Sequence, residues 1–208
     1  LSMIEAAGRL AELHEIRGQR EKALAWSEVA NEYLQQFSGA PSLISQINGN
    51  THISKPEKLR VVNIINERAL IEYCDILEAL VRFYDKKNFE LIIYQQYDTP
   101  HPLTTILKTR VDDWLETYEV NDATLEHIIV NDGVHIIVDW CGLYRGHRQP
   151  VLASRPAGLN VSFVGLLPRQ LVCVMDAWLN FNQEDGKSSF HIDTPGATGL
   201  APFAERAD

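Results

Sequence analysis

A short segment of the chain places a carboxylate, glycines and a cationic cluster directly after an apolar run. Asp139 follows 134–138 in the sequence DGVHIIVDWCGLYRGHR, and Arg145, His147 and Arg148 come soon after it. Arginine and histidine side chains can bind phosphate or carboxylate groups. Asp139 could line a ligand cleft or cap the turn that follows it. Arg148 could contact a ligand or form a structural ion pair, for instance with Asp139.

These side chains need a strand to carry them, and the sequence predicts a sheet. The run 134–139 is short, β-branched and almost continuous, which is typical of a strand covered on both faces. Similar runs alternate with segments of helical periodicity. The predicted strands are 59–66, 89–95, 134–139, 159–164 and 172–179, and the predicted helices are 68–84, 103–117, 123–131 and 148–154. This alternation predicts an α/β fold, with one mostly parallel, Rossmann-like sheet and right-handed crossovers.

The segments on either side of this sheet differ from it in composition. Residues 1–37 carry apolar residues three and four apart, which predicts either a tetratricopeptide-like hairpin or a generic helical hairpin. Residues 38–58 are rich in Ser, Gly, Asn and Pro, which is typical of a linker. Residues 182–208 contain two prolines and three glycines and show no periodicity. We therefore expect a hairpin at 1–37, a linker at 38–58, a sheet domain at 59–181 and an irregular tail at 182–208.

Composition narrows the possible partners. The chain has 208 residues and a net charge of −9, without the clustered Lys and Arg that nucleic-acid or anionic-membrane binding needs. No apolar run is long enough for a membrane span, and the N-terminus shows no signal-peptide pattern. Cys74, Cys141 and Cys173 lack paired-ligand spacing, so we expect reduced thiols in a cytoplasmic protein and no metal site. No glycine-rich dinucleotide fingerprint or P-loop occurs, and we expect no cofactor.

Four segments of the chain carry a recognisable family pattern. They are LRVVNI, KKNFELIIYQQY, DGVHIIVDWCGLYRGHRQPVLASRPAGLNVSFVGLLP and VMDAWLNF. The third and fourth fit, without gaps, the patterns DGIDILVDLxGHTxGxR, RPAPVQVxWLGYPxTxG and xDYxxTD. The residues in register are Asp132, Gly133, Ile136, Val138, Asp139, Gly142, Gly146, Arg148, Arg155, Pro156, Ala157, Gly165, Pro168 and Asp176. Residues 59–181 thus resemble the N-terminal catalytic lobe of the SPINDLY-type O-linked GlcNAc transferase family, more specifically over 132–181 than over 59–131.

The resemblance implies an inverting, two-lobed glycosyltransferase of the GT-B type. Such enzymes move GlcNAc from UDP-GlcNAc to Ser or Thr hydroxyls of proteins. The first lobe shapes the acceptor side of the cleft, and the second lobe holds most of the nucleotide-sugar. Family members also carry tetratricopeptide repeats before these lobes, which agrees with the hairpin at 1–37. The residues after 181 are too few for a second Rossmann domain of more than ~100 residues. We therefore expect no sugar transfer by this chain alone.

Three positions depart from the family pattern. Ile71, in INERALIEY, stands where the family has the histidine of SDFxxH, and Glu67 lies near the aspartate of that pattern. Leu143 replaces the histidine of the GHT triplet. Arg169 and the two long side chains after it fill a loop that the family builds from smaller residues. An imidazole can exchange a proton near neutral pH, and isoleucine cannot.

The sequence leaves two functions open. The first is a glycosyltransferase lobe that binds a UDP-sugar only together with a second lobe. The second is a degenerate, non-catalytic interaction or scaffold module, with a protein partner or a homo-oligomer. We assign no catalytic residue. The candidates for cleft or ligand contacts are Glu67, Asp139, Arg145, His147, Arg148 and Arg169.

Overall fold

The structure, a computed structural model, describes residues 3–35, 57–163, 175–184 and 187–193. The helices in these ranges are α1 (Met3–Ile16), α2 (Arg20–Gln35), α3 (Glu67–Glu72), α4 (Cys74–Phe83), α5 (Pro102–Lys108), α6 (Asp122–Asn131) and α7 (Gln149–Ala153). The strands are β1 (Leu59–Ile65), β2 (Phe89–Gln95), β3 (Asp113–Glu116), β4 (Ile136–Asp139), β5 (Leu159–Phe163), β6 (Ala177–Glu184) and β7 (Lys187–Asp193).

The strands form one sheet in the order β3-β2-β1-β4-β5-β6-β7. Each strand from β3 to β6 pairs in parallel with its neighbours, and β7 pairs antiparallel with β6. The strand order therefore reverses between β1 and β4, as in a Rossmann fold. The predicted fold class is confirmed: an α/β domain with a mostly parallel, Rossmann-like sheet follows a helical hairpin.

Two apolar cores cover the two faces of the sheet. One core joins the sheet to α1, α2, α6 and α7, through residues such as Ala7, Ala30, Ile129 and Val151. The other core joins the sheet to α3, α4 and α5, through residues such as Leu70, Leu77 and Leu107. Central strands buried on both faces explain why their sequences are almost continuously apolar.

The hairpin α1–α2 packs directly on the first of these cores. Ala7 and Ala30 are fully buried, and Gly8 lies so close to Leu143 that an added Cβ would come within 2.5 Å of the Leu143 side chain. Gly18, in the turn between the two helices, has φ of +67°, which glycine adopts without steric strain. The hairpin therefore contributes small residues to the packing against the sheet domain.

The predicted helix 103–117 is wrong in its second half. The helix ends at Lys108, and Asp113–Glu116 form the edge strand β3. The helix was predicted because Val111, Trp114 and Leu115 have the spacing of residues on one helical face. In the strand, neighbouring side chains point to opposite faces, so Trp114 packs on one core and Leu115 on the other. The predicted helix 68–84 is likewise two helices, α3 and α4, separated at Tyr73.

The C-terminal part of the chain also differs from expectation. The last parallel strand occupies Ala177–Glu184 instead of 172–179. Residues 182–208, expected to be irregular, contain the strand β7 at Lys187–Asp193. The expected linker 38–58 falls almost entirely outside the described residues. Among the helices that are described, none combines the length and the apolar character that crossing a membrane would require.

Candidate functional site

The reversal of strand order places the ends of β1 and β4 side by side. Ile64 pairs with Asp139 in this parallel register, so both strands finish at the same edge of the sheet. In open α/β sheets, ligands bind outside the carboxyl ends of the strands at such a point. The segment that follows β1 begins with Asn66 and Glu67. The segment that follows β4 is residues 140–148, called here the crevice loop.

Asp139 lies beneath the crevice loop and is fully buried. Its carboxylate accepts hydrogen bonds from the backbone N–H of Cys141 at 3.0 Å, the backbone N–H of Gly142 at 3.2 Å and the Gln149 amide at 2.8 Å. Burial raises the pKa of Asp139 to about 7, and these hydrogen bonds oppose the rise. The geometry favours the turn-capping interpretation of Asp139 over a role as a cleft-lining group.

Gln149 closes the crevice loop from its far end. Its side-chain amide donates to Asp139 Oδ2 and also to the carbonyl of Gly142, at 3.0 Å. Gly142 itself has φ of +58°, the left-handed conformation that glycine tolerates best. The two ends of the loop are thereby joined through one buried side chain.

Arg148 connects the crevice loop to the neighbouring strands. Its Nε donates to Gln96 Oε1 at 2.8 Å, its Nη1 to Asp122 Oδ1 at 2.7 Å and its Nη2 to the Thr117 carbonyl at 2.6 Å. Gln96 follows β2, Asp122 is the first residue of α6, and Thr117 follows β3. Arg148 is therefore a structural ion-pair residue in this geometry, but its partner is Asp122, and the suggested pairing with Asp139 does not form.

Two further residues hold the loop near β1 and β2. Gly146 has φ of +85°, and a Cβ there would lie 2.8 Å from the Gln96 carbonyl oxygen. Asn66 caps α3 by accepting from the Ala69 N–H at 2.9 Å, and its amide donates to the Arg145 carbonyl at 3.0 Å. Sequence reasoning missed Asn66, although an asparagine between a strand and a helix is a recognisable N-cap signal.

Three of the candidate side chains reach the surface of this edge. Glu67, in the first turn of α3, and Arg145 are exposed, and His147 is partly buried. The Gln149 N–H lies 3.4 Å from His147 Nδ1, where a neutral imidazole can accept. Beside them the Arg68 guanidinium lies 3.4 Å over the Tyr144 ring. This edge of the crevice thus carries charges of both signs and one aromatic ring.

The positions that depart from the family pattern have different surroundings. Ile71 is 59% exposed on α3, so its side chain is presented to solvent. Leu143 is 5% exposed and packs under α1 at Gly8. The leucine at 143 therefore contributes to the contact with the hairpin. From the sequence, it stood out only as an apolar replacement for a family histidine. Arg169 lies outside the described residues.

The thiols and potential metal ligands do not form a second site in the part of the chain that is described. Cys141 is buried with its thiol 3.5 Å from the Ile64 carbonyl, and Cys74 is partly buried. Burial also raises the pKa of the Cys141 thiol, as does the neighbouring Asp139 charge. No group of three or more potential metal ligands comes together among these residues. Cys173 lies outside the described ranges.

Comparison with curated proteins found two relatives that carry the same description. The chain is 23% identical over 127 residues to a protein of Eustoma exaltatum subsp. russellianum described as a probable UDP-N-acetylglucosamine–peptide N-acetylglucosaminyltransferase SPINDLY. It is 21% identical over 128 residues to the Petunia hybrida protein of the same description. Each alignment covers 59% of this chain and 14% of the relative. No family model matches the chain.

The fold comparison agrees with the sequence comparison. A solved structure of a mutant O-GlcNAc transferase from Thermobaculum terrenum matches with a TM-score of 0.59 and 20% sequence identity. The match covers 86% of this chain and 41% of the transferase. The chain thus spans only a small part of the curated relatives that it matches. In sequence the chain is similar to these two SPINDLY proteins, and in fold it is similar to the O-GlcNAc transferase structure.

Proposed function

We propose that the chain forms the acceptor-side wall of a UDP-sugar transfer cleft and works with a second lobe that holds the nucleotide-sugar. The observation that carries this proposal is the crevice loop, which lies at the reversal of strand order. Its buried frame is built from residues that match the family pattern, including Asp139, Gly142, Gly146 and Arg148. That frame fixes the backbone of the loop at the edge where a bound sugar would be accessible.

The exposed residues of this edge are the ones available to a ligand. Glu67 can accept a hydrogen bond from a sugar or acceptor hydroxyl, and Arg145 can pair with an anionic group. Arg145 is exposed, so its guanidinium can be reached from solvent at this edge. Ile71, in contrast, offers no group for proton transfer where the family has an imidazole. We therefore assign the chain a positioning role within the transfer reaction.

The test is a reconstitution with a second lobe. UDP-GlcNAc would be titrated by calorimetry into the purified chain, and into its mixture with the second lobe of the Thermobaculum terrenum enzyme. We expect weak or no binding by this chain alone and measurable UDP release by the mixture. Glu67→Ala and Arg145→Ala should lower UDP release by about ten-fold, equivalent to about 1.4 kcal/mol. The control Arg82→Ala, an exposed substitution on α4, should leave it unchanged. A fully assembled mixture that leaves UDP-GlcNAc intact contradicts the proposal.

A second candidate function is a non-catalytic interaction module. The observation that favours it is the set of exposed apolar side chains on the helices. Ile71 is 59% exposed on α3, and Leu13 and Leu24 of the hairpin are 40% and 42% exposed. Light scattering on the wild-type chain and on Ile71→Ser with Leu24→Ser tests this function. Self-association that these changes abolish, together with no response to UDP, would favour the module over the transferase lobe.

The proposed location rests on the expectation of reduced thiols, and the proposed partners rest on the transfer function. We propose that the chain acts in the cytoplasm, with a protein acceptor or a second lobe as its partner. Fractionation of cells that express the tagged chain would test the location. Cross-linking in the same fraction would test the partner.

A further inference from the structure

An apolar cavity lies between α4 and the sheet, apart from the crevice. It has a volume of about 440 Å³, and its floor includes Val61 on β1, Leu91 on β2 and Val138 on β4. Leu80 and Ala79 of α4 form one wall. Phe83, also in the lining, is 76% exposed. The cavity therefore opens to solvent beside the end of α4.

The far wall of the cavity is aromatic and rigid. Trp140 and Phe163 stack with their ring centroids 4.0 Å apart and an interplanar angle of 15°. Tyr73 packs edge-on against Phe163 at 5.1 Å. Trp140 and Phe163 are 2% and 1% exposed. The three rings thus form one packed aromatic cluster on this side of the cavity.

One polar group in the lining is left without a partner. Asn63 is 1% exposed, and its Oδ1 accepts from the Trp140 indole N–H at 2.9 Å. Because the indole can only donate, this contact fixes which end of the amide faces Trp140. The other end, Asn63 Nδ2, is buried with no hydrogen-bond partner. The hydroxyl of Tyr84, also in the lining, already donates to Asp112 Oδ2 at 2.8 Å.

The size of the cavity limits what can fill it. Small-molecule sites measure roughly 300–1,000 Å³, and this cavity falls within that range. An α-helix is about 10 Å across with its side chains, so one helical turn alone would need roughly the whole volume. Buried donors without partners are uncommon and call for an explanation such as an absent ligand. We propose that the cavity binds a compact apolar small molecule with an aromatic body and one carbonyl oxygen, which accepts from Asn63 Nδ2.

The proposal is tested with a fluorescent naphthyl ketone, prodan, and with dimethylaminonaphthalene, which lacks the carbonyl group. We expect prodan to bind the full chain with a blue-shifted emission, and to bind about ten-fold more tightly than the carbonyl-free probe. Ala79→Trp, on the exposed side of α4, should block the cavity and abolish binding. The matched control Lys87→Trp, on an exposed residue outside the lining, should bind prodan as wild type does.

Asn63→Leu tests the hydrogen bond itself. It should make the two probes bind equally, because leucine has no group that can donate to the probe's carbonyl. If Asn63→Leu does not fold, the difference between the two probes and the effect of Ala79→Trp still decide the matter. Three results would overturn the proposal: no prodan binding, unchanged binding by Ala79→Trp, or no preference for the carbonyl. A concentration-dependent dimer that Ala79→Trp abolishes would overturn it too, because the occupant would then be a second copy of the chain.

Discussion

The two buried charged side chains around the crevice loop use their hydrogen-bonding groups on the protein itself. Asp139 accepts from three donors, two backbone N–H groups of the crevice loop and the side chain of the neighbouring Gln149. Arg148 serves three acceptors on three different elements. Such satisfied groups rigidify a site, and they leave little for a ligand to bind. Side chains that reach the surface of this edge, such as Glu67 and Arg145, are therefore the better candidates for ligand contacts.

The pH dependence of stability should reveal the burial of Asp139. Its pKa is about 7 in the folded chain and about 3.9 in an unfolded chain. A raised folded-state pKa means that the folded state binds more protons between these values, so the free energy of unfolding falls as pH rises from about 4 to 7. Between pH 5 and 7 this one group can lower it by at most about 2.7 kcal/mol.

Urea denaturation of the wild type and of Asp139→Asn at several pH values measures this effect. The asparagine variant lacks the titrating carboxyl group, so its stability should fall less steeply over the same interval. Parallel stability curves for the two proteins would show that Asp139 titrates with an ordinary pKa.

A second prediction at the residue scale compares two arginines of the same segment. Arg148→Lys should lower the free energy of unfolding by about 2–4 kcal/mol, because a single ammonium cannot satisfy three acceptors in different directions. Arg145→Ala should change it by less than about 0.5 kcal/mol, since that side chain is exposed. Chemical denaturation of both variants gives the comparison. Equal losses for the two variants would mean that the three hydrogen bonds of Arg148 add no stability beyond that of an exposed arginine.

At the scale of elements, the crevice loop depends on glycine at one crowded position. Gly146→Ala should destabilise the fold by at least about 2 kcal/mol, because left-handed strain adds to a clash with the Gln96 carbonyl. Gly133→Ala is the matched control, with φ of +61° and nothing within 4 Å of the added Cβ. It should cost only about 1 kcal/mol. Thermal unfolding of the two variants should separate strain from crowding, and a smaller loss for Gly146→Ala would refute the crowding argument.

Much of the element order could be predicted from the sequence, for a local reason. Strands β1, β2 and β4 are buried on both faces, so their composition alone marks them. Asn121 caps α6 by accepting from the Thr124 N–H at 2.9 Å, and an asparagine just before a helical segment is a common local signal for such a cap. The edge strand β3 was missed because four residues with helical spacing carry too little information to separate the two periods.

The site was less predictable, since its partners lie far apart along the chain. The bonds of Arg148 to Gln96 and Asp122 span 52 and 26 residues. No spacing rule could have chosen Asp122 over the nearer Asp139. Leu143 carries the same lesson: whether it faces a cleft or a helix depends on where the hairpin docks. The residue types of 140–148 indicated a structured loop at the end of a strand. What each of its side chains contacts follows only from the fold.

At the scale of the molecule, the hairpin meets the crevice loop where Gly8 lies against Leu143. Gly8→Ala should destabilise the fold by about 1–3 kcal/mol, because the new Cβ would meet Leu143. Leu143→Ala should also destabilise it, because that residue is buried. The double variant should lose less than the sum of the two, since the smaller residue at 143 makes room for the methyl group. Additive losses in a double-mutant cycle would contradict a direct contact between Gly8 and Leu143.

The inward bonding of Asp139, Arg148 and Gln149 has a consequence for engineering. Because the scaffold of the crevice loop does not rely on the outward side chain at 145, that position can be rewritten without disturbing the turn. Ile71 on α3, which is 59% exposed, is a second position that can be changed. Placing histidine at 71 and randomising 145 would therefore vary the exposed chemistry of the protein while Asp139, Arg148 and Gln149 keep the loop in its conformation.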